Sequence, residues 1–302
     1  MTRTPWPMVA VVCLHLAGAD TLKIEKTDKV GRKVENEYFI ADLSSRMYRG
    51  QREDSGTMRA LTYKPFGVTL LRTENRMHWA PNLSRGGSGA AGGYSGLGTW
   101  QPVQEFREEQ KPGEYVHRRE GYFQAYPEVK VEAEYRFLAG VPYFLFHSRM
   151  TVEKPLTVRL LRDNEMTMDQ FFTHVAWPGG DGKPVVTTFD ARHPIIEKEP
   201  IPAEVPWLVF LNLDKGYGYG FVMLESRATK RVNDAVGISD GAENGKYWSR
   251  RWISRTDTPL VPGDVFEERT AYVLFRCSNE KPLDDFFRWE RQIRQRFGNS
   301  VK

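Results

Sequence analysis

Short alternating runs dominate the chain. Val131, Ala133, Tyr135 and Phe137 alternate with Glu132, Glu134 and Arg136, the period of a strand with one buried face. Ala139-Gly140 supplies a turn, and the run from Pro142 to Val152 alternates again. Phe144, Phe146, Met150 and Val152 fall on one face, and Tyr143, Leu145, His147, Arg149 and Thr151 on the other. Together the two runs predict a hairpin. A second pair spans Trp207–Leu213 and Tyr219–Glu225 around Asp214-Lys215-Gly216. Further strands are predicted at Gly67–Arg72, Pro155–Leu161, Phe171–Trp177, Tyr247–Ile253 and Val265–Phe275. Strand and helix nowhere alternate, which argues against a parallel α/β sheet. One helix closes the chain: Leu283, Phe286, Phe287, Glu290, Ile293 and Phe297 share a face, with Asp284 and Asp285 in the first turn, Arg294 and Arg296 in the last, and Gly298 after them. Many strands, no linker and one capping helix predict an all-β chain, a single large antiparallel β-sandwich over residues 20–302.

The first nineteen residues follow a different grammar. Met1-Thr2-Arg3 is short and positive, an apolar stretch runs from Met8 to Leu16, and Ala17-Gly18-Ala19 offers a small-x-small cleavage site. This predicts a signal peptide over residues 1–19 and a secreted or periplasmic protein. The stretch is too short to span a bilayer as a helix, and no later run is long and apolar enough for a membrane span. Beyond the leader only Cys277 remains, so no internal disulfide or cysteine-rich metal site is expected.

Composition narrows the function classes. With 40% hydrophobic and 27% charged residues the chain is globular rather than disordered or fibrous. A net charge of +4, without a clustered basic stripe, points away from nucleic acid and leans towards an anionic ligand. Residues 86–98 hold seven glycines but no Gly-Lys-Ser/Thr ending, so they are not a phosphate loop, and no cofactor is expected.

Candidate chemistry centres on histidine, the side chain best suited to proton transfer near neutral pH. Of six histidines, His15 lies in the leader, His193 precedes a proline, and His117, between Val116 and two arginines, reads as exposed. That leaves His78, His147 and His174. Arg76, His78, Trp79 and Asn82 form the densest polar-aromatic group. An arginine can clamp a carboxylate through two hydrogen bonds, and a tryptophan offers a flat face to a sugar ring. Alternation puts His147 and Arg149 about 7 Å apart on one strand face, where both can address one ligand. Arg162-Asp163-Asn164-Glu165 with Asp169 is acidic enough for glycoside hydrolysis or a divalent cation, although its spacing is not that of an EF-hand. Trp177 reads as an exposed aromatic before Pro178-Gly179-Gly180-Asp181-Gly182. In Lys246-Tyr247-Trp248-Ser249-Arg250-Arg251-Trp252, Trp248, Arg250 and Trp252 face one way, Tyr247 and Arg251 the other.

Several of these segments resemble the galactose-mutarotase-like supersandwich group of sugar epimerases and of polysaccharide lyase and glycoside hydrolase domains. Val34-Glu35-Asn36-Glu37-Tyr38-Phe39 followed by Ser55-Gly56-Thr57 through Lys64 looks like its opening hairpin. Leu260-Val261-Pro262-Gly263-Asp264-Val265-Phe266 looks like its Pro-Gly-Asp/Glu entry to a final strand. The resemblance spans nearly the whole mature chain and implies the fold more than the chemistry. Mutarotases of this group use a histidine acid and a glutamate base. The nearest segments here are Asn75-Arg76-Met77-His78-Trp79 and Phe172-Thr173-His174-Val175-Ala176-Trp177, with Thr173 where the group has an asparagine.

The leading expectation is a lyase-like enzyme that cleaves an acidic glycan by β-elimination at a uronate. Its catalytic groups would come from His174, His147, Tyr247, Tyr143 and His78, with Arg76, Trp79, Asn82, Arg149, Trp177 and Arg251 holding the glycan. The alternatives are a sugar epimerase or mutarotase with His174 as acid, a glycan-binding sandwich without turnover, and a glycoside hydrolase using Glu165 and Asp169.

Overall fold

In this computed structural model the described residues are 21–48, 51–53, 58–70, 82–85, 105–122, 126–168, 171–188, 201–241 and 245–298. The strands run β1 (Lys23–Lys26), β2 (Arg32–Glu35), β3 (Phe39–Asp42), β4 (Arg46–Tyr48), β5 (Gln51–Glu53), β6 (Ala60–Tyr63), β7 (Val68–Thr69), β8 (Asn82–Arg85), β9 (Glu105–Lys111) and β10 (Glu114–Tyr122). They continue as β11 (Val129–Leu138), β12 (Tyr143–Val152), β13 (Leu156–Met168), β14 (His174–Pro178), β15 (Pro184–Thr188), β16 (Trp207–Asn212), β17 (Tyr217–Ala228), β18 (Ala235–Gly241), β19 (Gly245–Leu260) and β20 (Val265–Arg276). The closing helix, α1, is Asp284–Phe297. The leader and the segment 71–81 lie outside the described residues.

The strands assemble into a large nine-stranded sheet, β15-β14-β16-β17-β20-β12-β11-β10-β9, an N-terminal five-stranded sheet, β1-β2-β3-β6-β7, and a four-stranded side sheet, β18-β19-β13-β8. A two-stranded ribbon, β4-β5, completes them. The named strands pair antiparallel throughout, as the alternating pattern requires. The predicted hairpin forms, with Phe137 opposite Phe144 and Gly140 at φ 70, a left-handed conformation that glycine adopts without a Cβ penalty. The Pro262-Gly263 turn likewise joins β19 to β20, and Asp264 closes it by accepting the Val261 N–H at 2.8 Å. The strand predicted at Gly67–Arg72 is described only as Val68–Thr69.

One apolar layer lies between the large sheet and the other two sheets. Phe39, Leu61 and Tyr63 of the N-terminal sheet and Trp248, Trp252 and Ile253 of the side sheet meet Tyr135, Phe137, Phe144, Phe146, Phe221 and Tyr272 of the large sheet. A second cluster forms where α1 covers one end of the outer face: Phe286 and Ile293 pack on Trp207, Val209, Val273 and Phe275. His117 corrects the sequence reading, because it is buried. Alternation turns His117 and Arg119 inward beside Tyr115, and Nε2 of His117 meets the Val30 carbonyl at 2.9 Å.

Candidate functional site

Strand β12 carries the described part of the site, because its odd-numbered residues face away from the core. Tyr143 lies under α1, with ring centroids 6.1 Å from Trp289 and 6.4 Å from Phe297, and burial raises its phenol pKa. It is therefore not placed as a catalytic acid. Past the end of α1 the face opens into a cleft of about 270 Å³, lined by Glu134, Arg136, Leu145, His147, Leu224, Arg269 and Phe297.

Cross-strand register sets the charges around it. One row reads Arg118, Glu134, His147, Arg269 and Glu225 across β10, β11, β12, β20 and β17. The next reads Glu120, Glu132, Arg149, Glu267 and Arg227. His147 reaches diagonally to Glu267, Nε2 to Oε1 2.7 Å. A register shift between Met223 and Glu225 marks a bulge beside Leu224 at the cleft wall, and bulges re-aim side chains. Arg118 donates from Nε to Glu134 at 3.0 Å, and Arg136 approaches the same carboxylate at 3.4 Å. Burial alone would raise the Glu134 carboxyl, but the Arg118 hydrogen bond and the nearby cations hold it below its ordinary value. Arg149 differs from its neighbours: its Nε is buried and, among the described residues, has no hydrogen-bond partner. The face thus offers an imidazole oriented by a carboxylate and, opposite that carboxylate, the half-buried guanidinium of Arg149.

His174 lies on the same outer face but elsewhere. It starts β14 opposite Leu211, in a row that continues through Gly218 to Phe275. His147 is opposite Arg269, so the two imidazoles are separated by four strand spacings, roughly 19 Å, and by six positions along β20, roughly 20 Å. They do not share one ligand. Thr173 Oγ1 is 2.8 Å from His174 Nδ1 and 3.2 Å from the Leu211 carbonyl. With the hydroxyl proton directed at that carbonyl, Nδ1 is the donor and Nε2 carries the free lone pair.

The remaining predicted residues divide three ways. Trp177 is a correction: it lies within β14, 5% exposed, in the core rather than on a loop. Alternation along β14 turns its indole inward with Val175, so no sugar reaches it. Arg251 is half-buried on the side sheet, opposite Arg162, which in turn is opposite Asn82. This row is on a different sheet from His147. Arg76, His78 and Trp79 lie outside the described residues, as do the side chains of Asn82, Tyr247, Glu165 and Asp169. Trp248, Arg250 and Trp252 do share a face, as alternation predicts, but that face is the core. The sequence reading missed Glu267, Arg269 and Glu134. Each occupied a polar position of an alternating run, but only pairing with β12 brings it to His147.

No protein-family model matches the chain, and no curated protein matches it. Solved structures do. The galactosidase domain of the α-galactosidase-sucrose kinase AgaSK superposes with TM-score 0.53 at 10% identity, over 83% of this chain and 41% of that one. The α-N-acetylgalactosaminidase NagBb of Bifidobacterium bifidum superposes with TM-score 0.52 at 10% identity, over 87% of this chain and 38% of that one. A galactose mutarotase-like protein from Lactobacillus casei also matches, with TM-score 0.48 at 9% identity, over 81% of this chain and 99% of that one. The chain shares its large antiparallel β-sandwich fold with parts of the two glycosidase chains. At these identities the likeness is one of fold, and the chain spans less than half the length of the first structures it matches.

Proposed function

We propose that the protein is carbohydrate-active and exported, and that it cleaves an acidic glycan by β-elimination in the cleft beside β12. The His147–Glu267 pair at the cleft, with Arg149 opposite Glu267, is the observation that carries this reading. The uronate carboxylate is bound by Arg149, which stabilises the charge that builds on it as the C5 proton leaves. His147, oriented by Glu267, takes that proton. The C5–H electron pair forms the C4–C5 double bond and the C4–O bond breaks. With Tyr143 buried, the protonated imidazole returns the proton to the departing oxygen on the same side of the ring.

The test is incubation with alginate, pectin, ulvan and glycosaminoglycans while the ultraviolet absorbance of the unsaturated product is followed. Product should form with at least one polymer, and His147→Gln should lower the rate by about 100-fold or more. Arg149→Gln should lower it by about tenfold or more while melting stays unchanged. No product from any of these polymers refutes the elimination.

A second reading, a glycan-binding sandwich without turnover, rests on the same face, because the half-buried Arg149 and the cleft cations Arg136 and Arg269 can hold a carboxylate whether or not a proton is taken. Retention on an acidic-glycan column without product selects it.

A further inference from the structure

We propose that the outer face of the N-terminal sheet carries a second binding site, one that takes the ring of a neutral sugar. Val34, Phe39, Ala41 and Leu61 point into the core, so Lys33, Glu35, Ile40, Asp42, Ala60 and Thr62 face outward. With Lys23 and Glu25 they line a groove of about 320 Å³, the lower end of the range of small-molecule sites.

Two rows cross this groove, and they differ. In the first, Lys23, Glu35, Ile40 and Thr62 are in register, and the charges are satisfied: Glu35 takes Lys64 at 2.7 Å and Lys23 at 3.9 Å. In the second, Glu25, Lys33, Asp42 and Ala60 are in register. Lys33 stands between two carboxylates, yet among the described residues no ion pair links it to either within 4.0 Å. Asp42 uses Oδ1 to accept the Ser44 N–H at 2.9 Å. The row therefore presents an acceptor, a donor and an acceptor at successive strand spacings of roughly 4.8 Å, beside a floor of Ile40, Ala60 and Thr62.

The order of these groups selects the ligand. A carboxylate only accepts and an ammonium only donates, whereas a hydroxyl does both. A ring bearing several hydroxyls satisfies the whole row and lays its C–H face on the apolar floor. An acidic sugar meets two like charges, and a cationic sugar meets one. This site is independent of the acidic-glycan reading, because the two outer faces look away from each other with the core between them.

Saturation-transfer NMR with methyl β-D-galactopyranoside and methyl β-D-glucopyranoside tests it, with glucuronate and glucosamine as comparison ligands. At least one neutral glycoside should receive saturation from the wild-type protein. The effect should fall about tenfold in Lys33→Met and in Glu25→Gln, surface variants whose melting should match wild type, and should persist in His147→Gln. Elimination of acidic polymers, if the protein catalyses it, should be unchanged in both groove variants, so the two ideas fail separately. The proposal is overturned by absence of transfer to both glycosides, by equal transfer in the groove variants, or by stronger transfer to glucuronate or glucosamine that the groove variants abolish.

Discussion

Arg250 and Glu268 place an ion pair inside the apolar layer, both side chains fully buried. Arg250 also donates from Nε to the Ala203 carbonyl at 2.8 Å, and the Phe221, Trp248 and Trp252 rings lie within 5.9 Å of its guanidinium. Glu268 accepts the Thr270 hydroxyl at 3.2 Å. A buried charge that loses its partner is costly, whereas an apolar replacement of both can be neutral. Arg250→Met should therefore destabilise the protein by about 3–5 kcal/mol, and Arg250→Met with Glu268→Leu should recover most of that. Urea denaturation of both variants checks it; a double variant no more stable than the single one refutes the account. Alternation along Lys246–Trp252 was legible in the sequence and correct. Which side was core was not, because a strand with aromatic and charged residues on both faces carries no sign of which face another sheet will cover.

Strands β16 and β17 show what an element demands of one residue. Gly220 is opposite Val209, and a Cβ at position 220 would stand 2.2 Å from the Leu208 carbonyl oxygen and 2.5 Å from the Val209 Cα. Both obstacles are backbone and cannot rotate away. Gly220→Ala should destabilise by about 1–3 kcal/mol, whereas Gly180→Ala, where a Cβ meets nothing within 4 Å, should leave the melting temperature unchanged. Equal melting of both variants would show that β16 and β17 can separate freely. Elements were the best-read level of the sequence: both hairpins, the late strands and α1 stand where periodicity placed them. Local spacing fixes an element, since side chains two apart on a strand or three and four apart on a helix share a face in any fold.

At the scale of the molecule, packing the N-terminal sheet on β10 buries His117 completely. Burial, and then the positive charge of Arg119, hold its imidazole pKa well below the ordinary 6.5. The folded protein thus refuses a proton that the unfolded chain accepts. This contribution to stability is complete above pH 6.5 and is lost as pH falls below it, by up to about 1.4 kcal/mol per pH unit. Denaturation between about pH 7 and pH 5 should show that slope, above the range where carboxylates titrate, and His117→Gln should flatten it. A wild-type slope equal to that of His117→Gln refutes this. Local spacing alone carried the all-β class, the two hairpins, the late strands, the closing helix and the polar face of β12, since each follows from near neighbours, whereas strands such as β10 and β18 were not read from it. Only the tertiary structure decided that Trp177, Trp248 and His117 are core, that His147 meets Glu267 from β20, and that His147 and His174 stand apart. Those outcomes depend on which distant strands pair and which face the second sheet covers, and no local pattern encodes either.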